Sequence, residues 1–281
     1  GDKVMIQPPV YHPFAWVTTR NERTLVTNPL KWENGMYRMD LDAFRELIKG
    51  CKLFILCNPH NPGGVVWTEA ELRAIADICY DEKVLVFSDE IHADLTLPPH
   101  THRPFATVSE KARMNSVTFM SPSKAFNMPG LSASHALIFN EDLRKRFRIY
   151  MDAGELDMGH VFAFLSVEAA YSHGTEWLDQ CLAYIQGNID FVDDFLKNHA
   201  PKIKAIRPEA SYLVWLDCRE LKLSQKDLNE FFVDKAHLAL NDGEMFGKEG
   251  IGFMRLNVAS PRCIIEKAMK QLADAYQLYI K

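Results

Sequence analysis

Short apolar, β-branched runs alternate with longer segments of helical period through the first half of the chain, and this alternation limits the fold more than any other property. The runs are "KVMIQ" (3–7), "RTLVT" (23–27), "KLFILC" (52–57), "KVLVFSD" (83–89), "NSVTFMS" (115–121) and "HALIFN" (135–140). Helices are expected between them over 40–49, 68–81 and 141–150. Thr68 followed by Glu71 three residues later has the form of a capping box, which satisfies two orphan N–H groups at a helix start. Strands 52–57 and 84–87 read apolar on both faces, as buried parallel strands should. The pattern predicts an α/β fold with a mostly parallel sheet.

Past residue 155 the pattern changes. Two long helices are expected over 160–173 and 175–199, then strands at "KIKAI" and "SYLVWLD". A helix over about 224–236, strands around 237–240 and 252–258, and a terminal helix from 261 complete the chain. With 281 residues the chain is long enough for two units: a large domain over 1–184 and a smaller α+β domain over 185–281, hinged on the long helix. A formal net charge of −5 with scattered basic residues offers no nucleic-acid or anionic-membrane footprint. No apolar run reaches the roughly 18 residues of a membrane span, and no signal-peptide pattern is present. The six cysteines form no C-x-x-C pair and sit mostly in apolar runs, which points to reduced core residues in a cytoplasmic protein.

In an open α/β sheet, ligands bind outside the carboxyl ends of the strands. Three polar groups fall there: Asn61 in "CNPHNPGG" (57–64), Asp89 in "SDEIHADL" (88–95) and Lys124 in "SPSKAFN" (121–127). Taken singly, Asn61 reads as a turn former, Asp89 as a cap or a salt-bridged strand end, and Lys124 as a solvated surface charge. Together they mean more. A desolvated lysine amine condenses with carbonyls, a carboxylate keeps a pyridine nitrogen protonated, and this pair is the minimal protein kit for pyridoxal 5'-phosphate.

The blocks "NPHNPGG", "SDEIHADL", "SPSKAFNMPGL" and "GFMRLNVASPR" resemble the fold-type I pyridoxal-phosphate enzymes of the class I/II aminotransferase superfamily. They resemble most closely its cystathionine β-lyase (C–S lyase, MalY/PatB-like) branch. The resemblance implies that Lys124 is the Schiff-base lysine and proton carrier, and that Asp89 partners the pyridine nitrogen. It implies that Asn61, preceding a cis Asn61–Pro62 bond, contacts O3', and that Ser121 and Ser123 bind the phosphate. Tyr11 in "PPVYHPF" would stack on the ring and Arg255 would grip the substrate α-carboxylate, although a tyrosine there also reads as packing and an arginine in an apolar strand as half of a buried ion pair. The substrate implied is a sulfur amino acid, and the implied assembly is a homodimer.

Two positions depart from the aminotransferase pattern. His92 stands where many of those enzymes have a tyrosine near O3', and Ser132 where many have a phosphate-binding arginine. Both departures are usual in the lyase branch. The resemblance also implies an arm, the first part of the large domain and a Gly/Thr phosphate loop ahead of "GDKVMIQPPVY". On that reading about a hundred residues are missing and weak cofactor retention is expected. Three rival readings have less support. "SPSK" satisfies S-x-x-K, but no K-T-G accompanies it; a non-enzymatic binding role requires the lysine to be inert; and His100 and His102 lack further metal ligands at suitable spacing.

Overall fold

The computed structural model describes residues 1–156, 158–159 and 161–280. In chain order the first half comprises β1 (Lys3–Ile6), α1 (Pro13–Arg20), β2 (Thr24–Thr27), the hairpin β3 (Lys31–Glu33) and β4 (Met36–Arg38), α2 (Leu41–Leu47) and β5 (Cys51–Cys57). It continues with α3 (Glu69–Asp81), β6 (Leu85–Asp89), α4 (Glu110–Met114), β7 (Ser116–Met120) and β8 (His135–Leu137). The second half holds α5 (Glu141–Ala153), α6 (Val161–His173), α7 (Thr175–His199), β9 (Lys204–Ile206) and β10 (Leu213–Asp217). It ends with α8 (Gln225–Glu230), β11 (Asn241–Asp242), β12 (Phe253–Asn257) and α9 (Arg262–Tyr279). Among the described residues no helix is long and apolar enough to cross a membrane.

The larger sheet has the order β2-β1-β5-β6-β7-β8, parallel except for the antiparallel edge pair β7–β8. Strand parity divides its side chains between two faces. Met5, Phe54, Leu56 and Val86 pack with Phe44 of α2, Leu72 and Ile75 of α3 and Ala112 of α4. Val4, Ile6, Ile55 and Cys57 turn the other way, toward Phe14 of α1. The chain passes from β1 to β2 on one side and then, through β3, β4 and α2, to β5 on the other side of β1, so the switch point of the sheet lies between β1 and β5.

The smaller sheet, β11-β12-β10-β9, is antiparallel throughout. Val214, Leu216, Met254 and Leu256 face a second core built with Ile189 and Val192 of α7 and Met269 and Leu272 of α9. Trp215 and Phe253, of opposite parity, stack at 5.2 Å and join the core of the larger sheet. The two sheets therefore share apolar packing.

The predicted capping box at α3 is present: Thr68 Oγ1 accepts from the Glu71 N–H at 3.2 Å, and Glu71 Oε2 accepts from the Thr68 N–H at 2.8 Å. Other expectations are corrected. No strand forms at 237–240. His237 adopts a left-handed backbone (φ 54), Leu238 and Leu240 turn into the second core, and pairing with β12 begins only at Asn241. The helix expected over 224–236 is α8 followed by a π-helical turn, Phe231–Lys235. Position 160, the expected start of a helix, lies outside the described residues; α6 begins at Val161. Cys181 is only half-buried and Cys263 is exposed, so not every cysteine is a core residue. The reading passed over α1 and the β3–β4 hairpin, although Asn34-Gly35, with φ 51 and φ 80, is the dipeptide that a two-residue hairpin turn favours.

Leu72 is fully buried between α3 and the sheet. Leu72→Ala is expected to destabilise the chain by about 2–5 kcal/mol, and Thr68→Ala by about 1 kcal/mol, in urea unfolding monitored by circular dichroism.

Candidate active site

Parallel strands deliver their following loops to one edge of a sheet, and four such loops meet here. A cavity of about 350 Å³ is lined by Tyr11 after β1, Asn61 after β5, Asp89 and His92 at the end of β6, Lys124 after β7 and Arg255 on β12. Six of the eight residues singled out in the sequence thus share one lining. Ser123 lines an adjoining cavity of about 300 Å³, which also includes Lys124. Ser121 joins neither lining. Its hydroxyl donates to the Ala133 carbonyl at 2.5 Å and accepts from the Ser123 N–H at 3.1 Å, with Ser123 Oγ 2.7 Å away.

Asp89 neighbours Cys57 across the β5–β6 pair, on the sheet face that carries α1. Among the described residues its carboxylate accepts only the Ile91 N–H, at 3.3 Å. Burial pushes its pKa up to about 6; the Ile91 N–H and the Lys124 ammonium pull the other way, while the Glu90 charge adds to the rise. His92 is buried, its Nδ1 has no hydrogen-bond partner, and burial, then the Lys124 and Arg255 charges, lower its pKa to about 3. Lys124 is half-buried and makes no ion pair among the described residues.

The turn carrying Asn61 is shaped by its neighbours. Asn58–Pro59 and Asn61–Pro62 are both cis, and Gly64 has φ +67 with Pro208 so close that a Cβ would lie 2.5 Å from it. The Gly64 carbonyl accepts the N–H groups of Glu209 (2.8 Å) and Ala210 (3.1 Å), docking the turn onto the chain that enters β10. Asn61 Oδ1 accepts from Arg255 Nη1 at 2.9 Å, and its side-chain nitrogen donates to nothing among the described residues.

Parity on β12 explains Arg255. Met254 and Leu256 enter the second core, whereas Arg255 lies opposite Trp215 and faces the larger sheet. Its partners are amide oxygens, Asn61 Oδ1 and Asn241 Oδ1 (2.8 Å), and its guanidinium sits 4.7 Å from the centre of the Phe246 ring. No carboxylate neutralises it among the described residues, so the buried-ion-pair reading fails. Its Nε is buried without a partner, and burial lowers its pKa. A fork with an unpaired N–H, on a side chain that lines a cavity, suits a carboxylate.

His12, Cys57, Ile91, Tyr212, Leu213 and Asn257 complete the lining and were not found in the sequence. His12 directly follows Tyr11, and its ring meets Trp16 at 4.4 Å and Phe246 at 5.8 Å. Its position on the sheet edge that carries Tyr11 was the available signal; Tyr212 and Asn257 had none. His100 and His102 face carboxylates instead of each other: His100 lies 3.7 Å from Glu209 and His102 2.7 Å from Glu90.

Lysine, aspartate, amide and arginine around one cavity at the switch point of a mostly parallel sheet define an α/β enzyme with an amine-based site. The chain belongs to the aminotransferase class I and II family, whose model matches residues 1–272. Within it the chain is 38% identical to the cystathionine β-lyase PatB of Bacillus subtilis, over 98% of this chain and 72% of that protein. Cystalysin from Treponema denticola, whose structure contains pyridoxal 5'-phosphate, superposes with a TM-score of 0.97 at 36% identity, over 100% of this chain and 72% of that one. A PLP-bound putative aminotransferase from Clostridium difficile gives 0.96 at 41% identity, over 98% and 71%.

A carboxyl whose pKa is higher in the folded than in the unfolded chain costs stability once it ionises, so the Asp89 contribution falls as pH rises from 3.8 toward about 6. Without cofactor, Asp89→Asn is therefore expected to melt higher than the parent at pH 7, by roughly 2–4 °C. The gap should close below about pH 4, read by thermal unfolding at both pH values.

Proposed function

We propose that this chain is a pyridoxal-phosphate-dependent carbon–sulfur β-lyase that releases thiol, pyruvate and ammonia from a small sulfur amino acid. The observation that carries the reading is the single cavity shared by Lys124, Asp89, Asn61 and Arg255. The cystathionine β-lyase and cystalysin likenesses support it at the level of the reaction. The residues present fit the cofactor. Asp89 is an under-satisfied carboxylate suited to a ring N–H, Asn61 has a free amide donor for a phenolate oxygen, and Lys124 is an amine without an ion-pair partner. Tyr11 supplies an aromatic face, and Ser123 stands beside Lys124 for the phosphate. Ser121 reaches it only by giving up its bond to Ala133.

When bound, the cofactor supplies an aldehyde that captures the substrate amine and an electron sink for the charge released at the α-carbon. Arg255 binds the α-carboxylate through its open Nε edge and so orients the Cα–H bond. Lys124 Nζ, once free, takes the α-proton as a general base. Asp89 would hold a proton on the ring nitrogen, and the Asn61 side-chain amide would donate toward its phenolate oxygen. The Cβ–S bond then breaks with its electron pair leaving on sulfur. His92 is neutral near pH 7, so it adds no competing cation beside Lys124. Transamination uses the same residues; His92 and Ser132 in place of a tyrosine and an arginine favour elimination.

The division into a large unit over 1–184 and a small unit over 185–281, with the boundary inside α7, belongs to the same proposal. So does a cytoplasmic site of action, which suits free thiols. A homodimer is supported by α6, where Val161, Phe164 and Leu165 are each more than half exposed. Phe164→Glu with Leu165→Glu is expected to halve the mass seen in sedimentation equilibrium; an unchanged mass would remove α6 from the interface.

With cystathionine or cysteine as substrate, the cofactor-loaded protein is expected to release pyruvate in excess of any keto-acid exchange. Lys124→Ala should lose both the yellow colour and the pyruvate, whereas Arg255→Lys should keep the colour and raise KM roughly 10- to 100-fold. Keto-acid exchange without pyruvate would make the chain a transaminase instead.

A further inference from the structure

The residue after Asp89 is also a carboxylate, and its setting is the reverse. Glu90 is 0% exposed at its side chain. Strand alternation sends it to the opposite face from Asp89, against the core that contains Phe105. There it is fully engaged: Oε1 accepts from Ser88 Oγ at 2.7 Å and from the Phe105 N–H at 2.8 Å, and Oε2 meets His102 Nε2 at 2.7 Å. The backbone is tied as tightly. The Glu90 N–H donates to the Phe119 carbonyl at 2.8 Å, and the Asp89 carbonyl accepts from the Asn58 N–H at 2.9 Å. Asn58 Nδ2 in turn holds the Arg103 carbonyl at 3.2 Å, on the same loop as His102.

A carboxylate in a core is costly unless its lone pairs are met, and three donors converge on this one. None of them belongs to the cavity lining, so packing a catalytic loop would have been served as well by an apolar side chain there. What an apolar side chain lacks is negative charge in a low-dielectric region one residue from the group that faces the cofactor nitrogen.

We propose that Glu90 is a second, buried carboxylate of the site, a positioning residue whose negative charge, held behind the strand one residue from Asp89, would favour a cationic ring nitrogen on the cofactor that Asp89 faces. This deepens the lyase reading and rests on it. The other charged or titratable groups facing Asp89 are Cys57 on β5, Lys124 after β7 and His92 on its own segment; Arg255 faces His92, and His102 with Asp94 flanks Glu90. Lys124 and Arg255 are cations that oppose the effect sought. Glu90 lies behind the strand, where a negative charge counters them and adds to the rise in the Asp89 pKa.

The test uses the protein loaded with cofactor labelled with ¹⁵N in the ring, read by NMR at neutral pH. Glu90→Gln keeps an oxygen for Ser88 and Phe105 but removes the charge. It is expected to move the ring signal toward the unprotonated position and to loosen the cofactor about tenfold, the equivalent of one pKa unit. His102→Gln leaves the Glu90 charge in place and should keep the parental signal. An unmoved signal in folded Glu90→Gln overturns the proposal. So does an equal displacement in His102→Gln, because the loop geometry would then be the cause. Should Glu90→Gln fail to fold, Glu90→Asp decides: a retained signal supports the charge, and a lost one overturns it. A parent chain that takes up no cofactor overturns the lyase reading first, and this inference with it.

Discussion

Parallel strands share a direction, and the site depends on that constraint. Because β1, β5, β6 and β7 run the same way, the loops that follow them emerge on one edge and gather Tyr11, Asn61, Asp89 and Lys124 from across the first half of the chain. Strand parity then sorts what each loop presents. Asp89 looks toward the cavity and Glu90 toward the core, although one peptide bond joins them. Parity works the same way in the second sheet, where Arg255 escapes the apolar face that takes Met254 and Leu256. The chemistry is assembled by direction and alternation before any side chain finds a partner.

Without ligand, the groups around the cavity are electrostatically unfulfilled. Arg255 is met only by amide oxygens, Lys124 has no ion pair among the described residues, and Asp89 is pushed toward protonation by burial. Such an arrangement lowers the stability of the folded chain and is typical of a site shaped for something that brings its own charges. A ring cation, an amine and a carboxylate would meet these groups in turn.

Much of this was legible in the sequence for identifiable reasons. Six apolar runs and the Thr68–Glu71 pair announce their structures because local period and local capping decide them. The site was legible because strand ends are where such sheets bind ligands. Other features needed the third dimension. Whether Arg255 is an ion pair depends on the absence of a carboxylate from distant loops. Tyr212 reaches the cavity only because the chain entering β10 belongs to a sheet that meets the larger one. The strand expected at 237–240 failed because Leu238 and Leu240 gain more from the core of α7 and α9 than from pairing. Ser121 was assigned by resemblance to the phosphate, yet its hydroxyl satisfies a local carbonyl.

The Asn61–Arg255 hydrogen bond joins a loop of one sheet to a strand of the other, and the Gly64 carbonyl adds two more links a few residues away. The smaller sheet therefore cannot swivel against the larger without either stretching that contact or dragging the amide along. If Arg255 and Asn61 have the roles proposed for them, grip on the substrate and grip on the cofactor would be mechanically one joint.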